Sequence, residues 1–473
     1  MISFIINDKE TSLDLRDGKT TLKTIRENLR LRGSKKGCGE GDCGACMVLL
    51  GESIGETTLR YKAINSCLLP VGEIEGKHVV TIEGLNQERL SLIQEAFADE
   101  YAAQCGFCTP GFIVAVTAFL LNTPDLDRGE AIQAVSGNIC RCTGYASIKR
   151  AIFSVLKKLK ASDFKKTKPG SDARVKLLVK TNILPPYFAD IHERIKKTTP
   201  KETSEAAGKI FVGGGTDISV QKRETLENEN LFFLSQRKDL REIFIDQGKC
   251  HIGGAVTFEE LRNSEIMAKI FPEGKKIFQL IASLPVRNRA TVAGNIINAS
   301  PIGDMTIFFL AMDAVLSLND GKNKREVPLR QFFKGYKETD KKENEILEWI
   351  FFDVPGKNTR LHFEKVSKRK YLDIASVNTA VCITAKRNTV EKIGISAGGV
   401  GPFPLYLSKT CEFLAGKKVE ESVIKEALAI ADAEISPISD VRGSEKYKRL
   451  LLRNLLVSHF MTLFPKNLKE ISL

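Results

Sequence analysis

The sequence predicts an α+β multidomain chain. Three observations carry this: strand-like apolar runs around a turn-rich loop over residues 1–85, helical periodicity over 86–160, and mixed strand and helix patterns thereafter. With 473 residues, 42% of them hydrophobic, the chain can support three or four separate cores, since domains commonly hold ~100–150 residues.

In the first segment a strand over Ser3 to Ile6, a turn at Asn7-Asp8 and a second strand precede a helical pattern from Thr20 to Leu29. A glycine-rich loop follows, then strand-like runs from Leu59 to Ile82, so 1–85 reads as a small α+β unit wrapped around that loop. Apolar stripes over Leu90 to Phe97, Gly111 to Leu121, Ala131 to Val135 and Ile148 to Leu159 predict a four-helix unit over 86–160. Lys157 to Pro169, rich in Lys, Ser, Thr and Pro, has the composition of an exposed linker, set at 161–175. The next domain, 176–355, contains two passages that look like ligand loops. One is a strand from Lys209 to Val212 running into Gly213-Gly214-Gly215, and the other is a strand-and-glycine passage from Ala290 to Ile297. A break at Pro355-Gly356-Lys357-Asn358 opens a last domain, 360–464, with strands at Val377 to Thr384 and Val390 to Ala397 and then helices.

The longest apolar run, Phe112 to Leu121, is half the ~20 residues that span a bilayer, so no membrane segment is expected. No export signal is visible at the N-terminus, which suggests the cytoplasm. The formal charge is +13, but Lys and Arg are dispersed without a nucleic-acid motif, so no nucleic-acid partner is expected. A chain of this length without an export signal is not a disulfide scaffold, so its eleven cysteines are thiols or metal ligands. Cys250, Cys382 and Cys411 are scattered singly and read as structural. The five histidines, at 78, 192, 251, 362 and 459, show no metal or triad spacing.

The other eight cysteines form two sets. Cys38, Cys43 and Cys46 give C-x4-C-x2-C, with Cys67 further on, the plant-type spacing for a [2Fe–2S] cluster. Glycines at 37, 39, 41 and 44 let the backbone curl and aim N–H groups at sulfur. Zinc is the competing reading, but it favours paired C-x2-C or Cys/His sets, and no histidine is near. Cys105, Cys108, Cys140 and Cys142 combine C-x2-C with C-x-C, which zinc could also occupy. Thr109-Pro110 and Thr143-Gly144 each open a helix, and the positive helix ends favour an anionic cluster beside them.

In Phe211-Val212-Gly213-Gly214-Gly215-Thr216-Asp217-Ile218 the glycines would let backbone N–H groups approach a pyrophosphate, although such a triplet is often only a turn. Thr291-Val292-Ala293-Gly294-Asn295, with Asp304 further on, adds polar groups suited to phosphate, ribose and a flavin ring.

The segments Gly39 to Cys46, Asn65 to Leu68, Gln104 to Gly111 and Gly137 to Tyr145 resemble the iron–sulfur signatures of the xanthine dehydrogenase and aldehyde oxidase family of molybdenum hydroxylases. Both glycine passages are similar to that family's FAD loops, in the same order. The resemblance implies a ferredoxin-like β-grasp domain, a four-helix [2Fe–2S] domain, an FAD-binding domain and a flavoprotein C-terminal domain. It implies FAD contacts at 211–218, at 291–295 and at Asp304, and it carries Lys365 to the flavin, where a surface lysine is the alternative. With two clusters and FAD bound, the net charge falls to roughly +7.

The resemblance extends to about Phe464, and nothing resembles the molybdopterin-binding region. It therefore implies an electron-transfer small subunit of an NAD-dependent xanthine dehydrogenase, in a hetero-oligomer whose large subunit holds the molybdopterin. The alternatives are the same role in a hydroxylase of aldehydes, nicotinate or another heterocycle, or a non-catalytic iron–sulfur protein.

Overall fold

The computed structural model describes residues 1–54, 58–197 and 210–468. These form two compact units, Met1–Phe233 with Ser283–Arg289, and Leu234–Ala282 with Ala290–Leu473.

The first unit begins with a five-stranded sheet made of β1 (Ile2–Ile6), β2 (Lys9–Leu13), β3 (Met47–Ile54), β4 (Thr58–Asn65) and β5 (His78–Val80), in the order β2-β1-β5-β3-β4. The β1–β5 pair is parallel and the other pairs are antiparallel, the ferredoxin-like β-grasp arrangement. Side chains alternate between two faces along each strand. Phe4, Ile6, Val48 and Leu50 therefore enter one core with Ile25, while Ile5, Met47 and Leu49 enter another with the helices that follow. Those helices are α1 (Leu92–Asp99), α2 (Thr109–Asn122), α3 (Arg128–Ala134) and α4 (Ala146–Lys158). Ser91 and Gln94 close a capping box at the start of α1. From Gly111 to Leu121 every residue of α2 is buried, so this helix is the central post of the helical module.

The stretch expected to be an exposed linker is helical and packed. Two further helices, α5 (Ala161–Lys166) and α6 (Asp172–Lys180), occupy it and its continuation. Phe164 is buried, and Arg174, 0% exposed, spreads over its ring at 4.4 Å. The Arg174 guanidinium donates to the carbonyls of Leu120 (3.0 Å), Thr123 (2.6 Å), Phe164 (2.8 Å) and Thr167 (2.9 Å), and to Thr167 Oγ1 (2.8 Å). The lysines that gave the stretch its linker composition are exposed, while one aromatic and one arginine hold it to the core.

The short parallel pair β6 (Ile210–Val212) and β7 (Leu231–Phe233) ends the unit's main run. Lys209, the predicted start of that strand, lies outside the described residues.

The second unit has two larger sheets beside the short antiparallel pair Phe333–Gly335 with Glu338–Thr339. One comprises β8 (Ile243–Asp246), β9 (Lys249–Gly253), β10 (Val315–Asn319), β11 (Lys324–Pro328) and β12 (Ile346–Asp353), in the order β11-β10-β12-β9-β8. The other is an antiparallel meander, β13 (Thr359–Val366), β14 (Val377–Lys386), β15 (Thr389–Gly398) and β16 (Leu405–Tyr406), covered by the long C-terminal helix Glu445–Leu463. One prediction is corrected in this unit. Val292–Ile297, expected as part of a strand-and-glycine passage from Ala290 to Ile297, is the helix α7, because the Thr291 hydroxyl accepts the Gly294 N–H at 3.0 Å and caps it. It is followed by α8 (Asp304–Ala311), whose aromatic Phe308 packs on Phe271 and Phe278.

Candidate iron–sulfur and flavin sites

The loop between the helical turn at Thr21–Asn28 and β3 carries Cys38, Cys43 and Cys46, and Cys67 follows β4. Gly39, Gly41 and Gly44 all take left-handed backbone, with φ of 79°, 83° and 70°. Their curl brings amide groups onto sulfur: Glu40 N–H donates to Cys38 Sγ at 3.3 Å, and Cys38 N–H to Cys43 Sγ at 3.4 Å. The thiols lie near enough in pairs to perturb one another, Cys38 with Cys43 and Cys46 with Cys67.

The second set repeats the pattern. Cys108 is the N-cap residue of α2, and Cys140 and Cys142 precede α4. Cys105 and Cys142 have Sγ atoms 3.6 Å apart, and Cys108 pairs with Cys140. Two sulfurs on one tetrahedral metal, with bonds of about 2.3 Å, sit about 3.7 Å apart. No three His, Cys, Asp or Glu residues surround a single ion position among the described residues. Two pairs of thiols at each locus match the demand of two irons, each taking two thiolates, rather than that of one zinc.

Proton affinities within the pairs split. The hydrogen bond from Cys43 lowers the Cys38 thiol to about 4 and raises Cys43, while the Cys46 bond and burial raise Cys67. Burial pushes Cys108 up to about 12. Cys140 is raised by burial but lowered by more in sum through the Thr143 hydroxyl (3.2 Å) and N–H (3.4 Å), and it ends below its ordinary value.

The two loops touch. Ile139 N–H, beside Cys140, donates to the Cys43 carbonyl at 3.0 Å, and a Cβ on Gly111 would lie 2.2 Å from the Gly44 carbonyl. Cys46, Cys67 and Cys140 are buried, whereas Cys105 and Cys142 are exposed, in the company of exposed Phe107 and Tyr145.

The flavin residues predicted from sequence fall on both units, and each group has its own setting. In the first unit Phe211 and Val212 end β6, and the chain turns through Gly213, Gly214 and Gly215 (φ 75°) to Thr216, Asp217 and Ile218. Ser219 Oγ donates to the Leu68 carbonyl at 3.1 Å and Arg223 to the Gly39 carbonyl at 2.5 Å, so this loop rests on the backbone beside Cys67 and Cys38.

In the second unit Thr291, Val292 and Ala293 are buried at the start of α7. Asn295 Oδ1 accepts from both N–H and Oγ1 of Thr306, each at 3.0 Å. Lys365 is not a surface lysine: its side chain is 2% exposed and its ammonium lies 2.7 Å from Asp304. Asn378 Nδ2 donates to the other Asp304 oxygen at 2.6 Å. Sequence reasoning missed Asn378, which no motif marks, and Arg289, whose signal was the polar run Arg287-Asn288-Arg289 just ahead of the second passage.

Burial holds the thiols of Cys250 and Cys411 up at about 12 and that of Cys382 at about 11. Two of the five histidines, which show no metal or triad spacing in sequence, are in contact, with Nδ1 of His362 2.8 Å from Nδ1 of His459.

Comparison with known proteins agrees with this geometry. Residues 4–71 match the family of 2Fe-2S iron-sulfur cluster binding domains and 81–153 a further [2Fe-2S] binding domain. Residues 195–355 match the FAD binding domain in molybdopterin dehydrogenase, and 362–463 the CO dehydrogenase flavoprotein C-terminal domain. The chain is therefore an iron–sulfur flavoprotein. Its four matched domains together are iron–sulfur and FAD electron-transfer domains like those of the molybdenum hydroxylases.

Among its relatives is xanthine dehydrogenase of Emericella nidulans, 28% identical over 88% of this chain and 35% of the relative. Aldehyde oxidase 2 of Rattus norvegicus is 26% identical over 99% of this chain and 39% of its own. The chain thus spans well under half the length of these relatives. A solved carbon monoxide dehydrogenase from Hydrogenophaga pseudoflava aligns with a TM-score of 0.50 and 26% identity, over 53% of this chain and 88% of that one.

Proposed function

We propose that this chain is the iron–sulfur and FAD electron-transfer subunit of a xanthine dehydrogenase, with NAD as final acceptor and the molybdopterin on a separate large subunit. The observation that carries the reading is the arrangement of eight thiols as four close pairs at two touching loops. Cys38, Cys43, Cys46 and Cys67 would hold one [2Fe–2S] cluster, and Cys105, Cys108, Cys140 and Cys142 the other. Residues 211–218, 291–295, Asp304 and Lys365 would serve FAD. These groups supply one-electron carriers and a flavin that exchanges electrons singly or as a pair.

The chain's own residues bind, orient and insulate. The backbone amides of Glu40 and Cys38, aimed by the glycine turns, donate to sulfur, and burial of Cys46, Cys67 and Cys140 excludes water. The exposed rim at Cys105 and Cys142 is where the partner would dock. The domain limits 1–85, 86–160, 176–355 and 360–464 stand as part of this proposal, as does a cytoplasmic location. No helix among the described residues is long and apolar enough to cross a membrane. Aldehyde oxidases among the relatives keep a second substrate class in view.

The test is an anaerobic NADH titration of the purified chain with iron and FAD analysis. About four irons and one FAD, with both chromophores bleached, are expected. Absence of FAD would leave an iron–sulfur binding protein, and inert NADH would point to another acceptor.

A further inference from the structure

Between two stretches of the second compact unit, the segment Ser283–Arg289 belongs to the first. It is short, yet it carries three buried polar side chains in a row, Arg287, Asn288 and Arg289. Burying such groups is costly unless each has a defined partner. Asn288 Nδ2 donates to the Ala63 carbonyl of β4 at 3.0 Å, and Pro285 lies against Gly137, where a Cβ would meet its ring at 2.9 Å. Both contacts fall close in sequence to cluster ligands, Cys67 and Cys140.

Arg289 makes the most demanding contacts. It is 8% exposed, its Nε donates to the Gly214 carbonyl at 3.1 Å, and its Nη2 lies 3.0 Å from Glu73, which is 1% exposed. The guanidinium is a rigid planar fork, so satisfying both acceptors fixes the middle glycine of the triplet against the 3-10 turn Val71–Ile74 of the ferredoxin-like module. Gly214 has no side chain of its own to pin it, and a carbonyl held from one side leaves the adjoining amides a fixed direction.

We propose that Arg289, braced by Glu73, is a positioning residue for the flavin. It sets the orientation of the Gly213–Gly215 loop, and it does not itself touch a cluster. This inference rests on the flavin reading above.

The test uses the full chain, stripped of FAD and retitrated by fluorescence, in wild type, Arg289→Gln, Arg289→Lys and Glu73→Gln. Visible circular dichroism of the bound flavin and electron paramagnetic resonance of the reduced clusters are recorded for each. FAD affinity should fall about tenfold or more in Arg289→Gln and partly recover in Arg289→Lys, which keeps the charge and can satisfy one acceptor. The flavin dichroism should change while both cluster signals keep their wild-type shape.

An affinity within about twofold of wild type would overturn the assignment. Cluster signals altered as much as the flavin would also overturn it, making Arg289 a general prop of the fold. Should Arg289→Gln fail to fold, Glu73→Gln keeps size and acceptor and gives the same comparison. If the wild-type chain takes up no FAD at all, the flavin reading itself fails and this assignment with it.

Discussion

Gly111 and Gly44 meet where the two cluster-binding loops touch. A methyl group on Gly111 would sit 2.2 Å from the Gly44 carbonyl, and one on Gly44 would sit 2.5 Å from that of Gly137. Backbone faces backbone at both places, so neither neighbour can swing aside. Gly111→Ala should therefore cost about 2–4 kcal/mol by overpacking, and chemical denaturation of the holoprotein would measure it. An unchanged midpoint would show that the loops can separate without loss. At the thiols the expected effect is selective. If each set of four thiolates holds its own pair of irons, as proposed above, Cys43→Ser should lower bound iron by about half and erase one of two cluster signals. Loss of both signals, or of neither, would contradict the assignment of Cys43 to a separate cluster.

Among the elements, Arg174 shows how a helix can be held in place by a single side chain. Its guanidinium satisfies carbonyls at the C-terminal end of α2 and at the end of α5, groups that helix termini leave without partners. Arg174→Met should destabilise the protein by roughly 2–4 kcal/mol, since it strands several buried acceptors at once. Thermal unfolding followed by circular dichroism would test this, and a loss below about 0.5 kcal/mol would mean that water replaces the guanidinium.

The same elements separate what was legible in the sequence from what was not. The strand at Ser3 to Ile6 and the apolar stripe of α2 are local patterns, and they read correctly, whereas β3, which follows the glycine-rich loop directly, went unread. The packed stretch 161–175 was misread because long-range burial of Phe164 and Arg174 leaves no trace in composition. The helix α7 was misread because its glycine passage resembled a strand and loop, while the cap at Thr291 starts a helix. Asn378 and Lys365 lie on neighbouring strands, Lys365 opposite Asn378 in register, and both reach Asp304 from another part of the chain. Only tertiary pairing reveals such a group.

For the molecule as a whole, two buried histidines link stability to pH. Burial lowers His78 from its ordinary 6.5 to about 3 and holds His459 well below 6.5, so both are neutral in the folded state. The unfolded chain takes up a proton at each below pH 6.5, and the folded chain does so only further down. Stability from these groups is thus complete above pH 6.5 and falls as pH drops, by about 1.4 kcal/mol per pH unit for each. Melting temperatures at pH 7.5, 6.5 and 5.5 should decline over the lower interval, with a shallower decline in His78→Gln. A flat profile would mean that both rings find proton-accepting partners in the fold.

The order in which the chain is synthesised gives the Ser283–Arg289 segment a consequence of its own. A ribosome making this protein releases the last strand of the first unit at Phe233, but the residues that occupy Ala63, Gly137 and Glu73 emerge some fifty positions later. Until then the nascent unit waits with those places open, and a fragment cut at 233 would keep them open permanently. The chain passes between its two units three times, so their genes could not be parted by a single cut without leaving the first half unfinished.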